Sequence, residues 1–412
     1  GEEEHGLLLY NPVMRVPLII SAPGINTGGG GIGALFATVD FFPTILDIFG
    51  WELPEGISGR SFAPGLAGGR LSDGEIYLET EFPRTEYGWS PLAGLIAGEW
   101  KYIAAPREEL YNLRVDHGEN VNLATTHSGT ARQLKERLAK MSGEMAEREF
   151  LPAALENRER GALASLGYLG GGGGTRREQK MLRDPKDVIG LRSEFIAAVD
   201  QIHLGETAAA EAKLRDLIEK SPESYTFRFR LARLLYDLGR LEEAGDGFRT
   251  MAEMYPDEFK THYNLGKTLN KLEQYDEAIA ELQLALEIEP GQTSGHNNLG
   301  IAFLRSGLID RAIDSFRRSI ELDDRQVDPH NNLGNALLAR GRIEAAAAEF
   351  ARSVEIAPDF FEGRYNLGLA LLELGKKREA AREFEEALRI RPGFQPAKQN
   401  LAIALGGGAS NQ

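Results

Sequence analysis

The chain has 412 residues and a formal net charge of −15, with 47 Lys and Arg against 62 Asp and Glu. That length accommodates two or three domains, and the negative balance argues against non-specific binding to nucleic acid or an anionic membrane. No run approaches the roughly 18 apolar residues of a membrane span. The absence of cysteine excludes a disulfide scaffold and leaves periplasmic, membrane-anchored and cytoplasmic settings all open.

In chain order, Val16 to Gly24 is a short apolar run closed by Pro23-Gly24, the pattern of a buried strand in an α/β sheet. Thr38 to Phe49 reads as an apolar helix that Gly50 ends. Glu75 to Glu81, Leu92 to Ala97 and Trp100 to Ala104 are short runs between Gly and Pro residues, consistent with a small antiparallel sheet. Gly28 to Gly33 resembles a phosphate-binding glycine cluster but opens no amphipathic helix, so it carries no phosphate-cradle reading. Thr130 to Glu147 and Leu151 to Leu166 favour helix. Gly170 to Gly174 with Thr175 to Lys180 then reads as a flexible basic hinge, on either side of which the two halves are expected to move as separate bodies.

Beyond the hinge a 34-residue step takes over. Asn264-Leu265-Gly266 recurs as Asn298-Leu299-Gly300, Asn332-Leu333-Gly334 and Asn366-Leu367-Gly368. Marks at Pro222, Pro256, Pro290, Asp324, Pro358 and Pro392 keep the same step. A unit this short cannot bury its own apolar face and is stable only when stacked. Within each unit Leu265 and Gly266 fall in a first helix, and Ala278, Leu282 and Ala285 follow at helical spacing in a second. Small residues such as Gly266 and Ala278 stand where two helices approach closely. The pattern resembles the tetratricopeptide repeat (TPR). Six units are expected, at 191–224, 225–258, 259–292, 293–326, 327–360 and 361–394, with a capping helix from Gln395 to Leu405 and a disordered tail over 406–412.

That resemblance implies an α-solenoid whose first helices line a concave face that takes a protein or peptide. The side chains expected there are Lys260, Tyr263, Asn264, Lys267, Asn270, Asn297, Asn298, Asn331, Asn332, Asn335, Tyr365 and Asn366. Asparagines can hydrogen-bond a peptide backbone without selecting its side chains, and they also serve packing. The carboxylate-clamping version of the repeat needs basic residues where Ser294, Ile301, Asp328 and Asn335 stand. His262, His296 and His330 are 34 residues apart, which sets them roughly 10 Å apart on successive helices. Zinc needs its nitrogens at about 2 Å, so the three rings read as packing groups.

The first half carries a second resemblance. Glu4-His5-Gly6, Leu9-Tyr10, Arg15-Val16-Pro17, Pro23-Gly24, Val39-Asp40, Pro43-Thr44-Ile45-Leu46, Gly88-Trp89-Ser90, Trp100-Lys101-Tyr102-Ile103 and Glu109-Leu110-Tyr111-Asn112-Leu113 stand in an order similar to the C-terminal third of sulfatases. These belong to the alkaline-phosphatase-like superfamily, and Ala164 to Tyr168 looks like the tail of bacterial members that continue into repeats. The resemblance implies the C-terminal portion of an α/β sulfatase domain over 1–124, a helical and glycine-rich linker over 125–190 and the solenoid over 191–405. It further implies a sulfate- or phosphate-ester hydrolase as the parent, with a small-molecule ester substrate and a divalent metal of the calcium or manganese class. No serine here begins a Ser-x-Pro-x-Arg motif and there is no cysteine, so the nucleophile is expected upstream of Gly1, as are the metal ligands. The chain by itself is then expected to be inactive, with no metal or cofactor of its own. By its distance from Arg15-Val16-Pro17, His5 matches the family's residue that contacts the transferred sulfate or phosphate. Asp116-His117-Gly118-Glu119 spells the family's metal motif, but it follows Arg15-Val16-Pro17 by about 100 residues and is expected to form a turn. The alternative is a non-catalytic scaffold or adaptor in which the solenoid alone carries the function.

Overall fold

The computed structural model describes residues 8–10, 36–54, 59–66, 71, 74–147 and 182–406. His5, the strand expected at Val16 to Gly24, the Gly28 to Gly33 cluster, the helix expected at Leu151 to Leu166, the hinge at 170–180 and the tail beyond Gly406 lie outside them. The chain divides into two compact units. Described residues up to 147 and from 182 to Phe227 belong to one, and Arg228 onward to the other.

In the first unit, helix α1 spans Phe41–Ile48 and follows a 3₁₀ turn at Thr38–Asp40. Asp40 organises this entry. Its carboxylate accepts from the backbone N–H groups of Ala37 (2.9 Å) and Arg60 (2.8 Å), and its carbonyl accepts from the Thr44 hydroxyl (2.6 Å). Gly50, at φ +66°, turns the chain out of the helix as expected. A short helix α2 follows at Ala63–Leu66.

Four antiparallel strands then lie in sequence order: β1 (Glu75–Thr80), β2 (Leu92–Ala97), β3 (Trp100–Ala104) and β4 (Glu109–Asn112), with helix α3 (Phe82–Tyr87) between the first two. The fourth strand adds to the three expected. It is only four residues long, too short for alternation to announce it. Leu95 pairs with Tyr102 and Tyr102 with Leu110, so one face presents these three side chains in a row. Helix α4 (Ser128–Glu147) packs Ala131, Leu134 and Leu138 onto that row, and this is the core.

The rest of the first unit is helical. Pro185 opens α5 (Pro185–His203) behind Asp184, whose carboxylate caps Lys186 N at 3.0 Å. Helix α6 (Thr207–Lys220) completes the pair. The expectation of separate bodies across the glycine run does not hold for this pair, because it is bound to the sheet side. The Trp89 indole, fully buried, donates to Ser221 Oγ at 3.2 Å and stacks on Tyr87 at 4.4 Å between centroids. Thr226 donates to Glu86 at 2.6 Å, Tyr87 meets Phe227 at 5.5 Å, and Arg107 joins Asp187 at 2.6 Å.

The second unit continues the helical pairs. These are α7 (Tyr225–Asp237) with α8 (Leu241–Met254), α9 (Phe259–Lys271) with α10 (Tyr275–Ile288), α11 (Thr293–Arg305) with α12 (Ile309–Leu322), α13 (Val327–Ala339) with α14 (Ile343–Ile356) and α15 (Phe361–Glu373) with α16 (Lys377–Ile390). Helix α17 (Gln395–Ala404) follows alone, where the cap was expected. The Leu-Gly motif now has a cause. A Cβ on Gly300, Gly334 or Gly368 would come within 2.5, 2.5 and 2.6 Å of the rings of Phe316, Phe350 and Phe384, all fully buried. In α9 the same place is Gly266 against Leu282, at 2.6 Å. Most first helices end on a left-handed glycine: Gly205, Gly239, Gly307, Gly341 and Gly375. In the α9 pair that conformation falls on Glu273, at φ +61°, a position at which an L side chain is strained.

Candidate functional site

First helices of consecutive pairs touch one another, α9 with α11, α11 with α13 and α13 with α15, so they form a continuous wall. Along it runs a ladder of side-chain hydrogen bonds. Asn298 Nδ2 donates to Tyr263 Oη at 3.3 Å, Asn332 Nδ2 to Asn297 Oδ1 at 3.0 Å, Asn366 Nδ2 to Asn331 Oδ1 at 2.9 Å and Asn400 Nδ2 to Tyr365 Oη at 3.1 Å. Each rung joins residues 35 apart, because adjacent positions of the 34-residue unit meet across the gap between neighbouring helices. Asn366 also reaches Asn335 Oδ1 at 3.5 Å, and Asn270 Nδ2 donates to Asn298 O at 3.0 Å.

The ladder therefore brings together Tyr263, Asn270, Asn297, Asn298, Asn331, Asn332, Asn335, Tyr365 and Asn366. It leaves out Asn264, which is buried and donates back to Lys260 O at 2.7 Å within its own helix. Lys260 is exposed. Lys267 sits 4.9 Å from the Tyr236 ring centroid. One rung, Asn400, and the ring beneath Lys267, Tyr236, were missed from sequence. Asn400 stands 34 residues after Asn366, inside the cap, and Tyr236 stands 34 before Asn270; the period that exposed the other residues contained both.

The three spaced histidines separate by their carboxylate partners. His262 Nε2 faces Pro256 O at 2.8 Å and Nδ1 faces Glu281 Oε2 at 2.6 Å. His330 repeats this with Asp324 O at 3.2 Å and Glu349 Oε2 at 2.8 Å. Both partners are acceptors, so a ring satisfies them only when both nitrogens carry protons. In the last pair Arg364 makes the same two contacts as a permanent cation, with Pro358 O at 2.6 Å and Glu383 at 2.8 Å. The hydrogen bond to Glu281 raises the His262 pKa against the opposing effect of burial, with Asp257 also raising it. Glu349 raises that of His330, while Arg352 lowers it. His296 has Ser315 where the others have Glu, and burial lowers its pKa.

A raised folded pKa gives stability that is complete below the unfolded value near 6.5 and is lost as pH rises through the folded pKa. His296, with a lowered pKa, acts in the opposite sense as pH falls. Melting of the repeat unit is therefore expected at lower temperature at pH 8.5 than at pH 6.5, and His262→Arg with His330→Arg should flatten that dependence. An unchanged slope in the double variant would remove the imidazolium assignment.

In the first unit the recognisable segments hold structure together. The side chains of Lys101 and Glu119 form an ion pair at 2.6 Å and are fully buried. Asp116 accepts from the backbone N–H groups of Asn120 (2.8 Å) and Val121 (2.9 Å), which lowers its pKa. The Asp116 to Glu119 segment is thus a turn with both carboxylates engaged. Glu109 accepts from Tyr10 at 2.8 Å and from Tyr111, and pairs with Lys186. Burial, reinforced by Glu109, raises the pKa of both tyrosines. Among the described residues no three His, Asp or Glu side chains converge as metal ligands, so these residues do not fit the divalent metal that the resemblance implies.

Residues 4–144 match the family model described as N-sulphoglucosamine sulphohydrolase, C-terminal. Residues 197–259, 297–359 and 331–393 match tetratricopeptide repeat, and 266–307 match TPR repeat. The chain joins a sulfatase C-terminal domain to TPR repeats. Over 122 residues it is 32% identical to delta 4,5-hexuronate-2-O-sulfatase of Bacteroides thetaiotaomicron, covering 28% of this chain and 25% of that protein. Over 128 residues it is 30% identical to arylsulfatase K of Mus musculus, covering 28% and 23%. The chain thus spans about a quarter of the length of these sulfatases. The crystal structure of YrrB, a TPR protein with an unusual peptide-binding site, aligns with 45% of this chain and 96% of its own at 22% identity and a TM-score of 0.38. The sulfatase part is the small sheet with its helices, and the TPR part is the helical solenoid.

Proposed function

We propose that this chain supplies the C-terminal part of a sulfate-ester hydrolase and presents a TPR module that binds a protein or peptide. The observation that carries the first half is the match over residues 4–144, joined to the Trp100 to Ile103 and Glu109 to Asn112 landmarks, which lie on β3 and β4 of the sheet. A sulfate ester of a sugar is the favoured substrate class, since a relative is named for 2-O-sulfated hexuronate; a phosphate ester is the competing substrate. In this reading His5 contacts the transferred group, where a cation offsets charge developing on its equatorial oxygens. The nucleophile and the divalent metal belong to residues outside this chain, and the chain assayed by itself gives no turnover. The proposed parts are the sulfatase-like part over 1–124, a helical linker over 125–190 whose helix α4 packs on the sheet, and the solenoid over 191–405, which begins within α5.

The second half rests on the amide ladder. Each rung engages one Nδ2 group, while an amide carries two N–H donors and a carbonyl acceptor. Asn332 keeps one N–H and its carbonyl, while Asn298 and Asn366, whose N–H groups are taken by Tyr263 with Ser294 and by Asn331 with Asn335, keep their carbonyls, which suit the N–H groups of an extended peptide backbone. The test is to read the coding sequence upstream of Gly1 in the source genome. A Cys or Ser followed by x-Pro-x-Arg, with Asp-His-Gly-Glu just before Gly1, is expected. An unrelated domain there would overturn the hydrolase reading and leave the solenoid as a scaffold.

A further inference from the structure

Charge is sorted by helix in the α7 to α10 region of the solenoid. Helix α9 carries Lys260, Lys267 and Lys271 and no acid, and α7 carries Arg228, Arg230 and Arg233 against Asp237 alone. The second helices are the reverse. Helix α10 has Asp276, Glu277, Glu281 and Glu287 and no base, and α8 sets four carboxylates against Arg249. In a chain of net charge −15, a wall carrying this excess of cations is a local inversion of sign.

Three of these cations meet at one ring. The ammonium of Lys271 lies 4.5 Å and that of Lys267 4.9 Å from the Tyr236 centroid, and the Arg233 guanidinium lies at 5.8 Å. Arg233 is balanced by Asp237 at 3.2 Å. Among the described residues Lys260, Lys267 and Lys271 take part in no ion pair. A ring attracts one exposed cation by about 0.5–1 kcal/mol, and two ammonium groups sharing it repel each other, so the ring alone is a poor reason to gather them. An anion placed between Lys267 and Lys271 would relieve that repulsion.

We propose that the Lys267–Lys271 face beside Tyr236 is the docking site for an acidic peptide segment, whose carboxylates lie over the two lysines while its backbone continues onto the asparagine ladder. This rests on the peptide-binding reading of the solenoid and names the partner's chemistry. The wall itself sets the direction. At equivalent positions of successive first helices Lys260 is followed by Ser294, Asp328 and Glu362, the last paired with Arg391 at 3.4 Å, so the acidic end of the segment sits at α9. A sulfated saccharide is the lesser fit, because Tyr236 is only 7% exposed and offers no open face on which a sugar ring could stack.

The experiment is fluorescence anisotropy of the whole chain with three labelled 12-residue peptides, rich in Glu, Lys or Ser, and with a heparin oligosaccharide. The Glu-rich peptide is expected to bind with affinity that falls as salt rises. Lys267→Gln with Lys271→Gln should weaken it at least tenfold, and the charge-reversed pair should abolish it, both with unchanged circular dichroism. Reversal of Lys376 and Lys377, exposed on a different helical pair, should change nothing. Equal binding of the Ser-rich peptide, sensitive to Asn298→Ala but not to the lysines, would remove this proposal and keep the peptide-binding reading. Binding of no peptide would remove both. Heparin bound more tightly than the Glu-rich peptide, through the same lysines, would overturn the assignment in favour of a sulfated saccharide.

Discussion

Lys101→Met is expected to lower the unfolding free energy of the first unit by about 3–5 kcal/mol, read by urea denaturation with near-ultraviolet circular dichroism, because it leaves a buried carboxylate without its ammonium. Lys101 lies on β3 and Glu119 in the turn after β4, and neither side chain is exposed. The size of the loss comes from the charge left behind more than from the attraction removed. Lys101→Met with Glu119→Met should therefore recover most of it, since replacing a buried pair by apolar side chains is often neutral or stabilising. A double variant as unstable as the single one would mean that Glu119 is held by its turn geometry, at φ +54°, and not by the ion pair.

Trp89→Ala is expected to cost a similar amount, about 3–5 kcal/mol for removing a fully buried indole, and its readout is more specific. Trp89 stacks on Tyr87 and donates to Ser221, so it joins the loop before β2 to the end of α6. Amide hydrogen exchange should rise in α5 and α6 together with the sheet in this variant, while α11 to α16 keep their protection. Exchange rising in the sheet alone would show that the first helical pair is stable without it. Trp89→Phe should retain more than half of the stability, since it keeps the stack and loses the hydrogen bond.

The 34-residue step made the solenoid legible because each unit repeats the same local requirements. Glycine stands where a buried ring crosses at Phe316, Phe350 and Phe384, and glycine again where most first helices end. The ladder followed from the same register, and Asn400 was overlooked only because it lies in the cap. What the sequence concealed were contacts that no period encodes. Trp89 and Ser221 are 132 residues apart, and Lys186 and Glu109 are 77 apart. Nothing local in either segment signals the other, so the glycine run suggested two independent bodies where the structure binds the first pair to the sheet. The Asp116 to Glu119 segment shows the converse. Its residue types suit a metal, and only position along the chain, followed by the backbone N–H groups that Asp116 accepts, identified it as a turn.

Turnover tests the proposed sulfate-ester hydrolase most directly. The protein encoded by the complete source gene, with calcium or manganese present, should be compared with this chain on 4-methylumbelliferyl sulfate and on a 2-O-sulfated uronate disaccharide. Sulfate release by the complete protein, none by this chain, and a large fall in rate when His5 is replaced by Ala are expected. Turnover by this chain alone, or a complete protein that cleaves phosphate diesters and no sulfate ester, would overturn that proposal.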